Sequence, residues 1–521
     1  MTRPVCLIVR DGYGYNPNPK ANAIAAANTP NNDLYAAEYP KTILDCCGPP
    51  VGLPEGFQGS SEVGHMNMGA GRVVVQEVTL IYNLLDGETL NAQAGWNDLV
   101  SAWKANGSRL HLFGLLQDEG VHAHQEHLFK LMRRARGENP EGEIVVHPFL
   151  DGRDTPQRSC FEYVGKLQQV MDEVGNCHVG TAMGRYYAMD RSETWELTDK
   201  AFNAIVDADG RQVEDLVQGI QTSYDNDKMP DGSPMGDEYI PPLIVGNYTG
   251  VQDGDVVIHT NYRQDRAMQL TKAFVEDAYE GQRPRRPQVT YLGLTRYYDE
   301  FESYLLPLDF EGATDMSNLL GETLAKAGLN QLRIAEKQKY PHVTSFFNGK
   351  STTPNENEDW VNGGGRFDPA TFAQHPEMEA NIVADKLLET LKADPQKYAF
   401  VLVNFANCDM VGHTGNIDAA IKAVEVVDEC LGQVVETMLG WDYQVLITAD
   451  HGNADQMVDY ETGKPRTAHS LNPVECIYVA NDSEGKEMLE RGKLSDLAVT
   501  VLELLGIEKP AEMTAESLLK G

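Results

Sequence analysis

The sequence predicts an α/β protein with a mostly parallel sheet and a second α/β domain inserted into the first. Short apolar runs typical of buried strands alternate with amphipathic helical segments along the chain. Aspartate-containing motifs directly follow three of these runs, at the strand ends where open α/β sheets bind ligands. These motifs lie towards both ends of the chain, and the stretch between them is too long to be a loop. We therefore expect that stretch to contain an inserted domain.

The first predicted domain combines residues 1–75 with residues 312–521. Apolar runs at 5–9, 399–405 and 443–448 predict buried strands. A core helix is predicted after Asn416, its N-cap, with Gly440 past its end. Its apolar face comprises Ile417, Ala420, Ile421, Val424, Val427, Leu431, Val434 and Met438. A further helix is predicted at 496–505, and the stretch 351–365 is predicted to be a loop.

The inserted domain is predicted at residues 76–311, entered near 69–71 and left near 307–312. Strand-like runs at 110–116, 143–150, 177–182 and 256–260 predict a second parallel sheet. The polar stretch 221–235 is predicted to be a surface loop.

Composition excludes several classes of partner. The chain has 521 residues, and 78 acidic against 43 basic side chains give a net charge of −35. This charge argues against nucleic acid or an anionic membrane surface as a partner. An enzyme with an anionic substrate would need its few arginines concentrated locally. No apolar run approaches a membrane span or a signal peptide, so a cytoplasmic protein is expected.

The eight cysteines show no repeated C-x-x-C spacing and are interpreted as thiols of a reducing compartment. The adjacent residues Cys46 and Cys47 fit either a metal or redox pair or, as we favour, neighbouring core or loop thiols.

Carboxylate and imidazole side chains recur at spacings that structural needs rarely produce. An Asp-His pair after a strand is often only a helix cap beside a hydrogen-bonded histidine. Here three such motifs follow three predicted strands, and carboxylate with imidazole is a ligand set for Zn²⁺ or Mn²⁺. The candidate ligands are Asp11, Asp409, His413, Asp450, His451 and His469. They can hold two metals, and Ser61, in a small-residue loop, could attack a metal-bound phosphate.

A second group of motifs is rich in arginine. Five arginines follow strand-like runs of the inserted segment: Arg153, Arg185, Arg191, Arg263 and Arg266. One arginine at a strand end is usually a surface ion pair, but this grouping predicts an anion pocket because the guanidinium binds carboxylate and phosphate bidentately. His122 is either a helix-capping residue or a phosphate contact. A lysine of the charged stretch 333–340 is another candidate for phosphate, although such runs usually face solvent.

The chain resembles the cofactor-independent (2,3-bisphosphoglycerate-independent) phosphoglycerate mutases of the alkaline-phosphatase superfamily. The resemblance rests on motifs at 61–72, 150–154, 184–191, 404–414 and 448–453, in the family's order. It implies an alkaline-phosphatase-like parallel-sheet domain with an inserted phosphotransferase domain. It further implies interconversion of 3-phosphoglycerate and 2-phosphoglycerate through a phosphoserine, without 2,3-bisphosphoglycerate. Because water must be excluded during the transfer, closure of the two domains is expected. A monomer is also expected.

The resemblance also implies roles for individual residues. One metal site would use Asp409, His413 and His469, and the other Asp11, Ser61, Asp450 and His451. Mn²⁺ is the first candidate, with Mg²⁺, Co²⁺ and Zn²⁺ as alternatives. The residues matching the substrate-binding set are His122, Arg153, Asp154, Arg185, Arg191, Arg263, Arg266 and Lys339. Ser61 would carry the phosphoryl group, and Asp154 would move the proton of the glycerate hydroxyls.

Some positions depart from the family pattern. Arg10 replaces an apolar residue before Asp11, which would bring a charge near the second metal site. Ser60 replaces the usual Asn, so that two serines adjoin, and Ser61 is assigned because it directly precedes the Glu-Val-Gly-His match.

Rival hypotheses are a metal-dependent phosphatase, a phosphopentomutase-type enzyme, and a catalytically inactive binding protein. The first two share the metal residues but do not explain the arginines. The third is disfavoured because all ligands and the serine occur together.

Overall fold

The computed structural model describes residues 3–86, 88–307 and 313–520. In chain order the strands are β1 Val5–Arg10, β2 Lys41–Asp45, β3 Arg109–Leu115, β4 Glu143–Leu150, β5 Cys177–Val179, β6 Thr181–Gly184, β7 Arg211–Val213, β8 Leu243–Val245, β9 Val256–His259, β10 Thr290–Gly293, β11 Gln331–Ala335, β12 Glu358–Asn362, β13 Phe400–Phe405, β14 Gln444–Thr448, β15 Val474–Val479 and β16 Arg491–Lys493.

The α-helices are α1 Ala23–Ala26, α2 Pro30–Glu38, α3 Ser61–Ala70, α4 Glu77–Leu85, α5 Ala94–Asn106, α6 Gln125–Glu138, α7 Cys160–Val174, α8 Arg185–Ala188, α9 Trp195–Asp207, α10 Leu216–Asn226, α11 Met268–Val275, α12 Leu320–Lys326, α13 Ala380–Lys392, α14 Asn407–Gly412, α15 Ile417–Gly440 and α16 Asp496–Leu504. No described helix combines the length and the apolar character that crossing a bilayer requires.

The chain divides into two compact units. The split unit comprises Met1–Gln76 with Ala313–Gly521, and the inserted unit comprises Glu77–Gly312. The predicted exit from the inserted segment, at residues 311 and 312, lies outside the described residues. Each unit has its own sheet, so the predicted α/β class is confirmed.

The sheet of the split unit has the strand order β12-β11-β13-β1-β14-β15-β2-β16. Strand β1 lies between β13 and β14 and runs parallel to both, with Val9 opposite Asn404 on one side and Thr448 on the other. Strand β15 is antiparallel to both β14 and β2. The carboxyl ends of β13, β1 and β14 therefore meet at one edge, which is where ligands bind in sheets of this kind.

The sheet of the inserted unit has the order β10-β9-β3-β4-β6-β8-β7, with β5 paired to β4. Strands β9, β3, β4 and β6 are parallel neighbours. Their carboxyl ends also share one edge, and each leads into one of the arginine- or histidine-bearing motifs.

Helix α15 supports the split unit through the apolar face that its periodicity predicts. Its N-cap is Asn416, whose side chain accepts a hydrogen bond from the backbone N–H of Ala419. Gly440 closes the helix as its last residue instead of lying past its end. The inward residues Val424, Val427 and Leu431 are almost fully buried. Each such side chain contributes about 1.5–3 kcal/mol on burial.

Two local predictions were wrong. Residues 221–226 continue helix α10 instead of forming a loop. Residues 358–362 form strand β12 at the sheet edge, and this strand pairs with the buried strand β11, whose last three residues begin the charged stretch 333–340. Both strands carry polar or charged side chains, so their hydrophobic pattern is weak. Pairing with neighbours, rather than local composition, stabilises them.

Candidate active site

Three aspartates meet at the shared strand edge of the split unit. Asp11 follows β1, Asp409 lies in α14 just after β13, and Asp450 follows β14. All three are almost completely buried. Gly12 permits this approach, since its φ is +78° and a Cβ there would lie 2.6 Å from the backbone nitrogen of Asp409. Only glycine fits both requirements at this turn.

One metal-type cluster contains Asp409, His413 and His469. The Nε2 atoms of the two histidines lie 3.1 Å apart, and each lies 3.1 Å from Oδ1 of Asp409. Their Nδ1 atoms are engaged by the backbone carbonyls of Thr467 at 2.6 Å and Gly59 at 2.7 Å. Both Nε2 atoms therefore point towards Oδ1 of Asp409. In metal sites, hydrogen bonds to the other ring nitrogen orient histidine ligands in the same way.

The second cluster surrounds Ser61. The Oγ atom of Ser61 lies 3.1 Å from Oδ1 of Asp11 and 3.0 Å from Nε2 of His451. His451 Nε2 is in turn 3.8 Å from Oδ2 of Asp450. That oxygen is buried, lies 3.4 Å from Nδ1 of His65 and has no hydrogen-bond partner among the described residues. A carboxylate oxygen without a hydrogen bond among buried ligands is a position that a cation would satisfy.

Both clusters fit divalent metals. Three sets of potential ligand atoms lie within 4.8 Å of one another: Asp409 with His413 and His469, Asp11 with Asp409 and His451, and Asp11 with His65 and Asp450. The donors are imidazole nitrogen and carboxylate oxygen, which suits Mn²⁺, Zn²⁺ and related ions. The predicted ligands are therefore brought together, and Asp409 belongs to two of the three sets.

Lys339 lies at the centre of this site, so of the two alternatives for its charged stretch the structure favours a lysine that points inward. Its Nζ donates to Asp11 at 2.7 Å, to Ser61 Oγ at 2.6 Å and to Asp409 at 2.6 Å. The side chain is buried. Although burial opposes it, the carboxylates of Asp11 and Asp409 raise the pKa of Lys339, so the ammonium stays charged.

The other titratable groups are shifted in opposite directions. Burial opposes the shift, but the Lys339 ammonium holds the pKa of both Asp11 and Asp409 well below the usual range. Against burial, Asp450 and its neighbours raise the pKa of His451 to about 9. Burial and the His451 charge lower the pKa of His469 to about 4. The carboxylates are thus ionised and ready to bind cations.

Ser61 is the first residue of α3, and Ser60 is its N-cap. The Oγ of Ser60 accepts a weak hydrogen bond from Val63 N–H at 3.4 Å, while that of Ser61 faces the carboxylates. A helix N-terminus favours an anion through its free N–H groups and dipole. The backbone thus distinguishes the two adjacent hydroxyls.

Sequence reasoning missed three polar residues in this site. His65, fully buried, bonds the Ser61 carbonyl through Nδ1 and the Asn404 amide through Nε2. Asn404 also donates to Asp11 at 2.8 Å, and Asn453 donates to Asp409 at 3.0 Å. His65 was detectable because it lies four residues after Ser61, on the same helical face.

Arg10, although adjacent to Asp11, does not bring its charge into the site. Its guanidinium donates to Asn32 at 2.6 Å and packs over the ring of Tyr13 at 3.9 Å. Successive side chains of a strand point to opposite faces, which separates Arg10 from Asp11.

The predicted arginines of the inserted unit form a network with aspartates. Arg185 NH1 contacts Asp151 at 2.6 Å and Asp154 at 2.5 Å. Arg191 NH1 lies 2.5 Å from Asp265, and Arg263 Nε lies 3.4 Å from it. These aspartates hold the guanidinium groups at the strand edge.

Arg153 and Arg266 complete this group. Arg153 contacts Glu238 at 3.3 Å, and Arg266 donates to the Met189 carbonyl at 2.9 Å. Burial and then the charges of Arg185, Arg191 and Arg153 lower the pKa of Arg266. Four carboxylates partly neutralise these five guanidinium groups, whose planar donors nevertheless suit an anionic ligand.

His122 lies in the loop between β3 and α6, and the helix-capping role belongs to His124 instead. His124 Nδ1 accepts from Glu126 N–H at 3.2 Å. His122 Nδ1 is 3.5 Å from Asp265, and its Nε2 is 4.0 Å from Asp154. The structure therefore joins His122 to the arginine network through two carboxylates.

Comparisons with known proteins agree with this geometry. A family model described as the metalloenzyme superfamily matches residues 3–509. A 2,3-bisphosphoglycerate-independent phosphoglycerate mutase from Clostridium acetobutylicum is 43% identical over 99% of both chains. The protein of the same name from Clostridioides difficile is 42% identical over 100% of this chain and 99% of its own. A crystal structure of Leishmania mexicana phosphoglycerate mutase, at low cobalt concentration, has a TM-score of 0.76 and 30% identity, covering 100% of this chain and 98% of that one.

Proposed function

We propose roles for individual residues of this chain, starting from its family. The chain belongs to the 2,3-bisphosphoglycerate-independent phosphoglycerate mutases, within the metalloenzyme superfamily. Its reaction is the interconversion of 3-phosphoglycerate and 2-phosphoglycerate. In our assignment Ser61 accepts the phosphoryl group and returns it to the other hydroxyl of the glycerate. The observation that carries this assignment is the contact of Ser61 Oγ with Asp11, His451 and Lys339.

The metal-binding residues follow from the two clusters. Asp409, His413 and His469 would hold one ion, and Asp11, Ser61, Asp450 and His451 the other. Mn²⁺ is the ion we propose because the donors mix imidazole and carboxylate; the Leishmania mexicana relative was crystallised with cobalt. When bound, these ions supply positive charge to the phosphoryl oxygens and lower the pKa of the serine hydroxyl.

Lys339 supports the phosphoryl step directly. Its ammonium donates to Ser61 Oγ in the free chain and would donate to phosphoryl oxygens once the serine is phosphorylated. Placing a fixed cation where negative charge develops stabilises the transition state without reorganisation. The N-terminus of α3 adds N–H donors on the same side.

The arginine network of the inserted unit is proposed to bind glycerate. Arg153, Arg185, Arg191, Arg263 and Arg266 would bind its carboxylate and phosphate oxygens, with His122 beside them. Asp154, which touches both Arg185 and His122, would take and return the proton of the glycerate hydroxyls. Holding glycerate between the two transfers makes rephosphorylation effectively intramolecular.

The deciding experiment separates a mutase from a phosphatase. Purified protein is given 3-phosphoglycerate and Mn²⁺ without bisphosphoglycerate, and 2-phosphoglycerate and free phosphate are measured. We expect isomerisation with little free phosphate. Phosphate as the main product, or a requirement for added bisphosphoglycerate, would instead favour the metal-dependent phosphatase alternative.

A variant pair tests the role of the arginines in the same assay. Arg263→Ala is expected to lower isomerisation and raise the fraction of phosphate lost to water, because serine and metals remain. Arg133→Ala is a matched control, since its side chain is 42% exposed and pairs with Glu173, while that of Arg263 is 40% exposed. Equal product ratios for the two variants would contradict the assignment.

The remaining proposals concern the setting of the enzyme. The charge of −35 supports a small-molecule substrate rather than nucleic acid or an anionic membrane as partner. We propose a monomer in the cytoplasm, where the reduced cysteines and the glycolytic reaction of the family fit. Size-exclusion chromatography with light scattering tests the monomer.

A further inference from the structure

The adjacent thiols Cys46 and Cys47 lie just after strand β2, and the proposed reaction does not use them. The Cys46 thiol donates a hydrogen bond to the Asn472 carbonyl at 3.2 Å. The Cys47 thiol donates to the Leu471 carbonyl at 3.3 Å. Both carbonyls belong to the segment that follows His469, so the two thiols anchor the loop that carries this proposed metal ligand.

A second contact connects the pair to His469. Nδ1 of His469 is held by the Gly59 carbonyl at 2.7 Å. Gly59 itself packs against Cys46 so closely that a Cβ on Gly59 would lie 2.1 Å from the Cys46 carbonyl oxygen. The cysteine pair therefore supports His469 both through the loop after it and through the residue that orients its ring.

The two thiols differ in access and reactivity. Cys46 is buried, whereas Cys47 is partly exposed. The neighbouring Cys46 thiol lowers the pKa of Cys47, as does the Arg491 guanidinium, against the opposing effects of burial, Asp45 and Glu55. Thiolates, not thiols, are the reactive species, so Cys47 is the more reactive of the two.

The other cysteines are poor competitors. Among the cysteines, all within the described ranges, only Cys177 is also partly exposed. Burial raises the pKa of Cys177 to about 12, which suppresses its thiolate. Among the eight cysteines, only Cys47 combines partial solvent exposure with a thiol pKa that is lowered.

We propose that Cys47 is a thiol-modification site, where exchange with a low-molecular-weight disulfide loosens the loop of His469 and weakens divalent-metal binding. The Cys47 thiolate attacks one sulfur of the disulfide, and a bond forms between Sγ and that sulfur. The original S–S bond breaks, and the second sulfur leaves as a thiolate that takes a proton from water. The protein thiol is oxidised and the small disulfide is reduced.

The structural consequence follows from the hydrogen bond that is lost. A modified Sγ has no proton to donate to the Leu471 carbonyl, and the attached group needs the space between Cys47 and that segment. The segment after His469 is then held less firmly, so this proposed metal ligand is less well oriented. The effect on metal rests on the proposed metal site, whereas the modification itself does not.

The test uses the full chain and glutathione disulfide as the probe. Peptide mass spectrometry locates the adduct, and isothermal titration measures Mn²⁺ affinity before and after treatment. We expect one adduct, on Cys47, and a loss of Mn²⁺ affinity that dithiothreitol reverses. Cys47→Ser keeps a donor to Leu471, so it is expected to bind Mn²⁺ normally and to be insensitive to the probe.

Cys177→Ser is the matched control and is expected to respond like the unmodified sequence. An adduct mainly on Cys177, no adduct, or an adduct on Cys47 with unchanged Mn²⁺ affinity would overturn the inference. An untreated chain that binds no Mn²⁺ would contradict the metal assignment and, with it, the proposed effect. Because the adduct is located without reference to metal or activity, the two failures are distinguishable.

Discussion

At the scale of single residues, position in the backbone separates side chains of identical chemistry. Ser60 and Ser61 carry the same hydroxyl, but the first caps α3 and the second faces Asp11, His451 and Lys339. Arg10 and Asp11 are likewise adjacent, and only Asp11 enters the site. A hydroxyl at the start of a helix, beside a buried ammonium and carboxylates, suits the phosphoryl transfer that we propose for Ser61.

The serine pair yields a direct prediction. Ser61→Ala should abolish phosphoenzyme formation because no other hydroxyl replaces its Oγ, and the fold should persist since only a hydroxyl is lost. Ser60→Ala should keep the phosphoenzyme and cost about 0.5–1 kcal/mol through the weakened cap. Trapping the phosphoenzyme by acid quench, with mass spectrometry and thermal unfolding, checks both variants. A label on Ser60 would show that the assignment is one residue out.

Protons and metal ions compete for the histidine nitrogens, so the metal affinity should depend on pH. The pKa of His451 is raised to about 9, so the metal-free imidazole is protonated at neutral pH and must release that proton to bind metal. Lowering the pH makes this release less favourable. We therefore expect Mn²⁺ affinity to fall up to about tenfold per pH unit below pH 9 for each proton released.

Titration calorimetry in buffers of different protonation enthalpy counts the released protons. The remote variant His375→Gln should show the same dependence, since His375 contacts Glu377 outside the site. An affinity that is constant between about pH 8 and pH 6 would contradict this competition.

At the scale of elements, the site depends on three parallel strands ending side by side. Strands β13, β1 and β14 are in register, so the loops after them converge. The β1 loop approaches α14 closely because Gly12 has no side chain and adopts a positive φ. This contact keeps Asp11 beside Asp409.

Gly12→Ala tests that approach. The added Cβ would meet the Asp409 backbone at 2.6–2.7 Å in addition to the cost of a positive φ. We expect a loss of at least about 2 kcal/mol in the free energy of unfolding and weaker Mn²⁺ binding. Gly463→Ala is the matched control, since Gly463 has φ +69° but no atom within 4 Å of a Cβ. Denaturant unfolding measures the stability of both variants, and metal titration measures their Mn²⁺ affinity. Equal losses in the two variants would show that the close approach of Gly12 to Asp409 is unimportant.

At the scale of the whole molecule, the dominant property is the net charge of −35. Mutual repulsion among so many carboxylates opposes the compact state, while the arginines are grouped in the inserted unit. Local positive charge within an acidic protein attracts anions to one place. The overall charge thus affects stability and solubility, whereas we propose that the local cluster of arginines binds the anionic substrate.

Salt should therefore stabilise the fold. Raising NaCl from about 0.01 M to about 0.15 M shortens the Debye length from about 30 Å to about 8 Å and screens the repulsion. We expect the Tm of the chelator-treated protein to rise by a few degrees, measured by calorimetry. KCl at equal ionic strength should act alike, and a Tm that falls or stays constant would contradict this account.

Much of this protein follows from local patterns in its sequence. The apolar runs at 5–9, 399–405 and 443–448 correspond to β1, β13 and β14, because strands buried on both faces need continuous hydrophobic residues. The motifs after them predicted the family, which the comparisons confirm. Asn416 was recognised as a cap because its hydrogen bond spans only three residues.

The tertiary structure decided what depends on contacts between distant segments. Lys339 is central because β11 pairs with β13 and carries the next loop to Asp11, 328 residues away in sequence. Strand β12 likewise exists through its pairing with β11 and not through a hydrophobic pattern of its own. The thiols of Cys46 and Cys47 acquire their relation to His469 only through Leu471 and Asn472. Local composition determined which side chains could bind a metal or an anion. Which of them lie close together was determined by long-range packing, because only such packing offsets the conformational entropy that distant segments lose when they come together.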